Sequence, residues 1–314
     1  MNIVFCADRR ALPGLHVAAY SLLASIRAEN QTRIHVFSDV ITEADLALVH
    51  RSLEAAGQPF TLELRRVDAS LFAGYPALNG SWATYYRLAV PEVLAAERFL
   101  YVDADTLCDV NVAELENLDM GDAPAGLVPE APLACAADRF VANELGNNAS
   151  ESYFNAGVIL VNAFEWRRRR VTERAMEYIS RARPPFHDQS ALNVVLRGAI
   201  VPLDERFNCI ANMRTHWPAL RQPLGNVGRL IHFLDYPKPW DWMAEWVHPQ
   251  YRLWRSALDR TAITGFRSWR AAESRRLPNN RKAWTGYKKA LKDRLLFAGY
   301  SHGWVANVKG VPQS

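Results

Sequence analysis

Short apolar runs alternate with amphipathic helical stretches along the first part of the chain. The runs at residues 3–6, 33–37 and 60–64 have β character, and helical periodicity fills the intervals at 17–26 and 42–53. Strands separated by helices of this length indicate parallel βαβ units. The pattern therefore predicts a three-layer α/β domain with a mainly parallel central sheet flanked by helices.

The alternation continues beyond these units. Residues 81–91 predict a helix, and the apolar runs at 98–105 and 152–162 predict two more strands. A Pro-Gly pair at residues 13–14 predicts a turn before the first helix. The stretch 131–150 is small, polar and weakly patterned, so we expect a surface excursion of the kind that often serves as a lid or binding element.

Two carboxylates, Asp103 and Asp105, stand at the downstream end of the run 98–105. In an extended backbone, residues two apart point the same way, so both can address one hard cation such as magnesium or manganese. A turn or a helix-capping pair explains the same spacing equally well. Ligands of parallel sheets gather beyond the carboxyl ends of the strands, and Asp8 follows the first strand. These three acids are therefore expected around one crevice.

Four more polar positions are candidates for the same crevice. Arg87 stands among aromatic and apolar residues of a predicted helix, where it could pair with an acid or bind a phosphate. Asn155 precedes Gly157 at the entry of a strand, and a glycine there permits close approach of a ligand to the backbone. Asp188 and Gln189 precede a helical pattern, where a simple N-cap is the alternative interpretation.

Four consecutive arginines, residues 167–170, open a predicted helix with an apolar face. A basic run on a helix is usually a solvated face, and no nucleic-acid-binding module accompanies it. Nucleic acid is therefore not an expected partner. The four cysteines, Cys6, Cys108, Cys135 and Cys209, are scattered without a Cys-x-x-Cys pair, which argues against a zinc site or disulfide framework and favours small buried apolar residues.

Targeting signals and the distribution of charge indicate where in the cell the protein acts. The opening residues lack the basic region and long apolar core of a signal peptide, and no run of apolar residues is long enough to span a bilayer, so a cytoplasmic location is expected. Residues 251–314 contain 14 lysines and arginines against three acids, a net charge of +11, while residues 1–250 carry about −7. The last fifth of the chain thus differs in kind.

Residues 281–298 place Trp284, Tyr287, Leu291 and Leu295 along one helical stripe with basic residues mostly outside it. This pattern is typical of a helix that lies in an anionic membrane interface. A helix packed on the rest of the protein is the alternative. We expect a main domain, residues 1–250, and a basic, aromatic-rich helical region, residues 251–314, that attaches peripherally to the inner face of the cytoplasmic membrane.

Several of these motifs together resemble glycosyltransferase family 8, whose bacterial members include lipooligosaccharide galactosyltransferases and glucosyltransferases. The string from Ile231 to Trp240 is similar to the family's His-x-x-Gly-x-x-Lys-Pro-Trp motif. Five other motifs precede this string in the order that the family shows. They are the Ala-Asp opening, the helix with Tyr85 and Arg87, the Leu-Tyr-Val-Asp-Ala-Asp string, the Tyr-Phe-Asn-Ala-Gly-Val string and the Asp-Gln pair. The resemblance covers residues 2 to 245.

The resemblance implies a GT-A fold and a retaining transferase that moves a hexose, galactose or glucose, from a UDP-sugar with Mn²⁺ or Mg²⁺. It implies the following roles. The metal ligands are Asp103, Asp105 and His232; the nucleotide and diphosphate residues are Ala7, Asp8, Arg87, Ala104 and Lys238; Asn155 and Asp188 serve the sugar hydroxyls; and the catalytic residues are Gln189, near the anomeric carbon, and Asp188.

The mechanism of retention has two possible forms. A retaining enzyme ordinarily uses a carboxylate nucleophile on the opposite face of the sugar. Gln189 at that position is a poor nucleophile, so we favour attack by the acceptor hydroxyl on the same face, with Asp188 as covalent nucleophile in the alternative. One departure from the motif is Asp235 in place of the family glycine, which puts a carboxylate near the diphosphate.

The acceptor implied by the resemblance is a cell-surface glycan or glycolipid. Asp235 keeps a second function in view, a nucleotide-sugar-binding protein whose transfer is lost or mainly hydrolytic. The joint presence of Asp103, Asp105, His232 and Lys238 argues for the transferase, because a pure binder has less use for a complete metal site.

Overall fold

A computed structural model describes residues 1–27, 31–78, 80–211, 228–234, 236–248 and 250–267, together with 285, 287 and 288. Ten strands lie within these residues. They are β1 (Asn2–Cys6), β2 (Thr32–Ser38), β3 (Phe60–Arg66), β4 (Arg98–Val102), β5 (Thr106–Cys108), β6 (Ala125–Pro132), β7 (Ser152–Asn162), β8 (Ile200–Pro202), β9 (Cys209–Ala211) and β10 (Leu230–Phe233).

The described helices surround the strands. They are α1 (Leu12–Ser25), α2 (Glu43–Glu54), α3 (Ala83–Val93), α4 (Arg139–Glu144), α5 (Ala163–Arg168), α6 (Val171–Ala182), α7 (His187–Val195), α8 (Ala244–Val247) and α9 (Tyr251–Leu258). None of the helices in the described part of the chain has the length and apolar character needed to cross a membrane.

Seven strands form the central sheet in the order β3-β2-β1-β4-β7-β6-β8. β1 pairs in parallel with both β2 and β4, while β7 runs antiparallel to both of its neighbours, β4 and β6. The sheet is therefore mostly parallel, as expected. Because β1 and β4 are adjacent and parallel, their carboxyl ends share one edge of the sheet, where Asp8 and the Asp103–Asp105 pair follow them.

Alternation along β1 shows how the sheet makes two cores. Ile3 and Phe5 face a cluster that contains the apolar sides of α1 and α2, whereas Val4 and Cys6 face a second cluster that contains α3, α5, α6 and α7. Successive side chains of a strand point to opposite faces, so one strand contributes to both layers. The result is the three-layer arrangement predicted from the sequence.

A smaller sheet, β5-β10-β9, lies at the carboxyl edge of the central sheet. β5 begins directly after Asp105, and β10 pairs with it antiparallel so that His232 stands opposite Thr106. β10 also pairs in parallel with β9. This small sheet brings a residue from far along the chain beside the two aspartates.

One local prediction was wrong, and a second, the surface excursion at residues 131–150, was correct in its exposure but missed short elements. Pro13 and Gly14 lie inside α1, where proline is favoured because its fixed φ suits the first helical turn and its missing N–H has no partner to lose there. The stretch 131–150 contains the end of β6 and α4, with a small buried cluster around Leu133 and Val141. Its weak sequence pattern reflects short elements, and hence gives no periodicity to detect.

The cysteine prediction was correct for two residues. Cys6 and Cys108 are buried, while Cys135 is exposed and Cys209 is half-buried. Cys135 is the last residue of the 3-10 turn Leu133–Cys135, and Cys209 is the first residue of the edge strand β9, so the residue type alone did not predict burial.

The chain beyond residue 250 begins as part of the core. Trp254 and Leu258 of α9 are fully buried, in a cluster with Val17 of α1 and Phe233 of β10. The predicted helix at 281–298 lies outside the described residues except at 285, 287 and 288. Of these, Tyr287 donates a hydrogen bond from its hydroxyl to the Trp242 carbonyl oxygen, 2.7 Å away.

Candidate active site

Three side chains at the carboxyl edge of the sheet form a candidate metal centre. Asp103, Asp105 and His232 each offer one ligand atom, and these atoms lie within 4.8 Å of one another. His232 Nε2 is 3.2 Å from Asp105 Oδ1 and 3.6 Å from Asp103 Oδ2. The antiparallel pairing of β5 with β10 creates this proximity, since Asp105 immediately precedes one strand and His232 lies in the other.

A cation stands behind each aspartate. The Arg87 guanidinium lies 2.9 Å from Asp103 Oδ1, and the Lys238 ammonium lies 2.6 Å from Asp105 Oδ2. Each carboxylate therefore has one oxygen held by a basic side chain and its other oxygen directed at His232. Such partners orient the aspartates before any ligand binds.

The pKa values of the two aspartates are shifted in opposite directions. Burial raises the pKa of Asp103 above its usual range, against the opposing attraction of Arg87. Burial also acts to raise the pKa of Asp105, but Lys238 and His232 outweigh it and hold that pKa well below its usual range. Two carboxylates this close in a buried site disfavour full ionisation of both unless positive charge balances them.

The residues present fit a divalent ion of the manganese or magnesium type. Two carboxylate oxygens and one imidazole nitrogen converge, and a mixed oxygen and nitrogen set suits borderline Mn²⁺ better than Ca²⁺. The other ring nitrogen of His232, Nδ1, lies 3.0 Å from Asn208 Oδ1, a second contact of the type that metal-binding histidines make. A cation at this place would also balance the charge that the aspartates carry.

Arg87 connects the metal centre to the second acidic position. Its Nε lies 3.0 Å from Asp188 Oδ2, and Thr84 donates a hydrogen bond to Asp188 Oδ1. Arg87 is thus a salt-bridging residue in this structure, one of the two interpretations that the sequence left open. Asp188 is buried within α7 and is not an N-cap ahead of it. Its two oxygens contact Thr84 and Arg87, which both belong to α3.

Gln189 and Asn155 brace the strand that faces the centre. Gln189 Oε1 accepts a hydrogen bond from the backbone N–H of Ala156, and its Nε2 donates to the Tyr153 hydroxyl. Asn155 is 2% exposed and donates from Nδ2 to Glu130. Both sequence-predicted residues are therefore brought beside the cluster through β7 and α7.

The remaining predicted residues lie on the β1 side. Ala7 is buried, and its N–H donates to the Phe37 carbonyl oxygen. Asp8 caps the 3-10 turn Arg9–Ala11 and pairs with Arg10, and it is not a member of the three-residue metal group found among the described residues. Ala104 is buried between the aspartates, with its carbonyl oxygen facing Gly14 of α1. Asp235 lies outside the described residues.

Sequence reasoning missed the residues that support these groups. Thr84 stands three residues before Arg87 on α3. Tyr101 of β4 stands two residues before Asp103 and donates a hydrogen bond to its Oδ1. Helical and strand spacing could have indicated both. Asn208 follows the short turn Glu205–Phe207 and has no spacing relation to His232, so nothing in the pattern pointed to it.

The seven-stranded, mostly parallel sheet and its flanking helices are those of the GT-A glycosyltransferases, the class to which a similar solved structure belongs. The chain belongs to one family within that class. The model of "Glycosyl transferase family 8" matches residues 2–244, which confirms the resemblance drawn from the motifs.

Individual relatives agree with this placement. The lipopolysaccharide 1,2-glucosyltransferase of Escherichia coli K12 is 23% identical over 98% of this chain and 89% of its own length. The lipopolysaccharide 1,3-galactosyltransferase of Salmonella typhimurium is 26% identical over 80% and 76%. Among solved structures, the galactosyltransferase LgtC, in complex with donor and acceptor sugar analogues, matches with a TM-score of 0.69 at 26% identity, over 84% of this chain and 97% of that one.

Proposed function

We propose that this protein is a retaining, metal-dependent hexosyltransferase that moves galactose or glucose from a UDP-sugar to a cell-surface glycan or glycolipid. The observation that carries the proposal is the convergence of Asp103, Asp105 and His232, with Lys238 beside them. Membership in family 8 and the lipopolysaccharide hexosyltransferases among the relatives support the same reaction.

The charges of the site suit departure of a diphosphate. Negative charge develops on the leaving phosphate as the glycosidic bond breaks, and Mn²⁺ or Mg²⁺ at the three ligands would neutralise it. Lys238 holds a fixed positive charge at the same edge, 2.6 Å from Asp105, where it contacts the diphosphate in our proposal. Ala7 and Asp8 after β1, and Ala104 between the two aspartates, serve the nucleotide, and Arg87 orients Asp103.

We favour attack by the acceptor hydroxyl on the same face of the sugar. The hydroxyl oxygen bonds to the anomeric carbon as the bond from that carbon to the phosphate breaks, and the departing phosphate oxygen takes the hydroxyl proton. Asp188 is 3% exposed, and its oxygens contact Thr84 and Arg87, so neither is free for a covalent role in this arrangement. Gln189 lies beside it on α7 and contributes an uncharged amide. Mass spectrometry of enzyme mixed with donor tests this assignment. Unmodified protein is expected, and a hexosyl adduct on Asp188 would refute it.

A donor screen tests the reaction itself. The full chain is incubated with individual UDP-sugars and Mn²⁺, and UDP release is measured with and without a lipopolysaccharide-core acceptor. We expect release from UDP-galactose or UDP-glucose that rises with acceptor and stops when EDTA removes the metal. UDP release that is the same with and without acceptor would instead establish the hydrolytic alternative.

We propose that the region of residues 251–314 attaches the enzyme to the cytoplasmic face of an anionic membrane. Its net charge of +11 and aromatic content support this. Because α9 is buried in the core, the deletion that tests the idea removes residues 268–314 and leaves α9 intact. The contact of Tyr287 with Trp242 supports the competing arrangement, a segment packed on the catalytic domain.

Vesicle sedimentation separates these two arrangements. The full chain is expected to sediment with vesicles containing phosphatidylglycerol, less so at high salt, and not with purely zwitterionic vesicles. The deletion variant is expected to stay in the supernatant. Equal sedimentation of both chains would rule out the region as the anchor.

A further inference from the structure

A buried asparagine stands behind the metal-facing histidine. Asn208 is 3% exposed, and its Oδ1 lies 3.0 Å from His232 Nδ1 on the side of the ring opposite the aspartates. It follows the 3-10 turn Glu205–Phe207 and precedes β9, which pairs with the strand that carries His232. None of the roles assigned above includes this residue.

The direction of this hydrogen bond follows from a chain of contacts that begins at the backbone. The N–H of Gly157 can only donate, and it donates to Asn155 Oδ1 at 2.9 Å. That oxygen also accepts from Asn208 Nδ2 at 2.9 Å. Asn208 therefore turns its Oδ1 toward His232, and an amide oxygen can only accept. His232 must place its proton on Nδ1.

The opposite end of the same chain supports this orientation. Asn155 Nδ2 lies 3.1 Å from Glu130 Oε2, and a carboxylate accepts from an amide N–H₂ group. Both asparagine amides are thus fixed by groups whose donor or acceptor character is unambiguous. With a proton on Nδ1, Nε2 is the ring nitrogen that faces Asp103 and Asp105.

We propose that Asn208 is a positioning residue that holds His232 in the Nδ1-protonated tautomer, so that Nε2 is available to a metal ion. The inference rests on the metal centre of the proposed function. The contact with Asn208 disfavours the other neutral tautomer of His232. A neutral ring with its proton on Nε2 would donate to Asp105 Oδ1, 3.2 Å away, and close the site against a cation without any metal present.

Asn155 acts through Asn208 in this scheme. It is buried, and its oxygen and its nitrogen are both used within the chain of contacts. A role at the sugar hydroxyls, which the family resemblance implies, would change the KM for donor and leave metal affinity alone. A role through His232 changes metal affinity in the absence of any sugar.

Metal affinity in the absence of donor provides the first test. Mn²⁺ binding is measured by calorimetry for the wild type, Asn208→Ala and Asn208→Asp, with apo thermal unfolding to confirm that each is folded. Loss of an outer partner of a metal-binding histidine weakens binding roughly 10–100-fold, which is the expected effect of Asn208→Ala. Asn208→Asp keeps an acceptor for Nδ1 but loses the N–H that donates to Asn155 Oδ1, so it is expected to recover only part of that loss.

The matched control is Asn193→Ala. Asn193 is also a buried asparagine with side-chain hydrogen bonds to β7, but it contacts Phe154 and Gln189, not His232. It is expected to lower stability and leave Mn²⁺ affinity within twofold of the wild type. If Asn208→Ala behaves in the same way, the positioning role is refuted, although the metal centre stands.

The tautomer itself provides the second test. Long-range ¹H–¹⁵N spectra of the metal-free and Mg²⁺-bound full chain, assigned with a His232→Gln variant, are expected to show a proton on Nδ1 in both states. A neutral ring protonated on Nε2 would overturn the inference. A wild type that binds no Mn²⁺ would overturn the proposed metal centre and this inference with it, so the two failures give different results.

Discussion

Gly157 shows how closely the backbone must approach His232. A Cβ at this position would lie 2.1 Å from His232 Cε1 and 2.5 Å from Nδ1, and real Cβ atoms do not come so near. The glycine is needed for space, because β7 and the histidine ring pass each other without room for a methyl group. The sequence-based expectation was close approach of a ligand at this glycine, whereas the group that the structure places there is the side chain of His232.

We predict that Gly157→Ala displaces His232 and weakens Mn²⁺ binding at least tenfold, with a loss of about 1–3 kcal/mol in stability from overpacking. Calorimetric titration and urea denaturation measure the two effects. Gly74→Ala is the matched control, since a Cβ there has nothing within 4 Å. Unchanged Mn²⁺ affinity in folded Gly157→Ala protein would contradict the prediction.

Arg87 is a buried cation with two acidic partners. Its side chain is 9% exposed, it pairs with Asp103 and Asp188, and its guanidinium carbon lies 4.5 Å from the centre of the Tyr101 ring. Removal of one member of a buried ion pair leaves an uncompensated charge, which is costly in a site with little water.

We predict that Arg87→Met lowers the free energy of unfolding by about 3–5 kcal/mol, because it leaves two buried carboxylates without their cation. Arg65→Met removes an exposed arginine that pairs with Glu63 and should cost no more than about 1 kcal/mol. Chemical denaturation compares the two variants. A small effect of Arg87→Met would mean that the acids adapt by protonation, without a need for the arginine.

The residues of the site differ in how far the sequence could predict them. Asp103 and Asp105 lie in the turn between β4 and β5, and their spacing alone left a cation site and a turn as equal interpretations. His232 and Lys238 were assigned by family resemblance, because no local spacing links them to residues so far upstream. Neither spacing nor family resemblance indicated Asn208, because its contact with His232 forms only when the chain folds.

At the level of elements, α1 and α2 pack together through an unusual polar contact. His16 of α1 is fully buried, and its Nδ1 lies 2.8 Å from Ser52 Oγ of α2. Its Nε2 is buried with no hydrogen-bond partner in the described structure. Burial lowers the pKa of His16 from 6.5 to about 4, against weak attraction from Asp45.

We predict that this pair of helices makes the protein acid-sensitive. Above pH 6.5 the histidine is neutral in both states; between pH 6.5 and 4 the unfolded chain binds a proton that the folded chain does not, so stability falls as pH falls. The loss between pH 7 and pH 5 should be about 2 kcal/mol from this residue. Urea denaturation of wild type and His16→Gln measures it, since glutamine does not titrate. Equal pH dependence in both chains would contradict the assignment.

Element prediction succeeded for five strands but missed the eight-residue strand β6, whose two prolines, Pro129 and Pro132, weaken its strand pattern. β1, β2, β3, β4 and β7 were all found from apolar runs. The strands β5, β9 and β10 span three or four residues each, too few for a periodic signal, and β10 was recognised only as part of a motif. These short strands matter because they form the sheet that completes the metal centre.

At the scale of the whole molecule, metal binding is linked to folding. The three proposed ligands come from two distant parts of the chain, and the unfolded chain has no such arrangement. A ligand that binds only the native state stabilises it by mass action. The fold class was predicted from the order of strands and helices, but which loops meet depended on packing that the pattern does not encode.

We predict that Mn²⁺ at about 100 times its Kd raises the free energy of unfolding by about 2.7 kcal/mol. Thermal unfolding with increasing Mn²⁺ measures this as a rising midpoint. Asp105→Asn, which removes one proposed ligand, should show little change in midpoint over the same range. A midpoint of the wild type that does not move with Mn²⁺ would contradict the site, and an equal rise in the variant would locate binding elsewhere.

The small sheet also has a consequence for biosynthesis. The last strand of the central sheet ends at Pro202, whereas His232 lies in β10, near the close of the family-8 region. Because the ribosome makes the chain from its amino end, every strand of the central sheet and both aspartates are synthesised before His232, which is the last of the three proposed metal ligands to be made. In our proposal, sugar transfer cannot begin until translation has delivered β10.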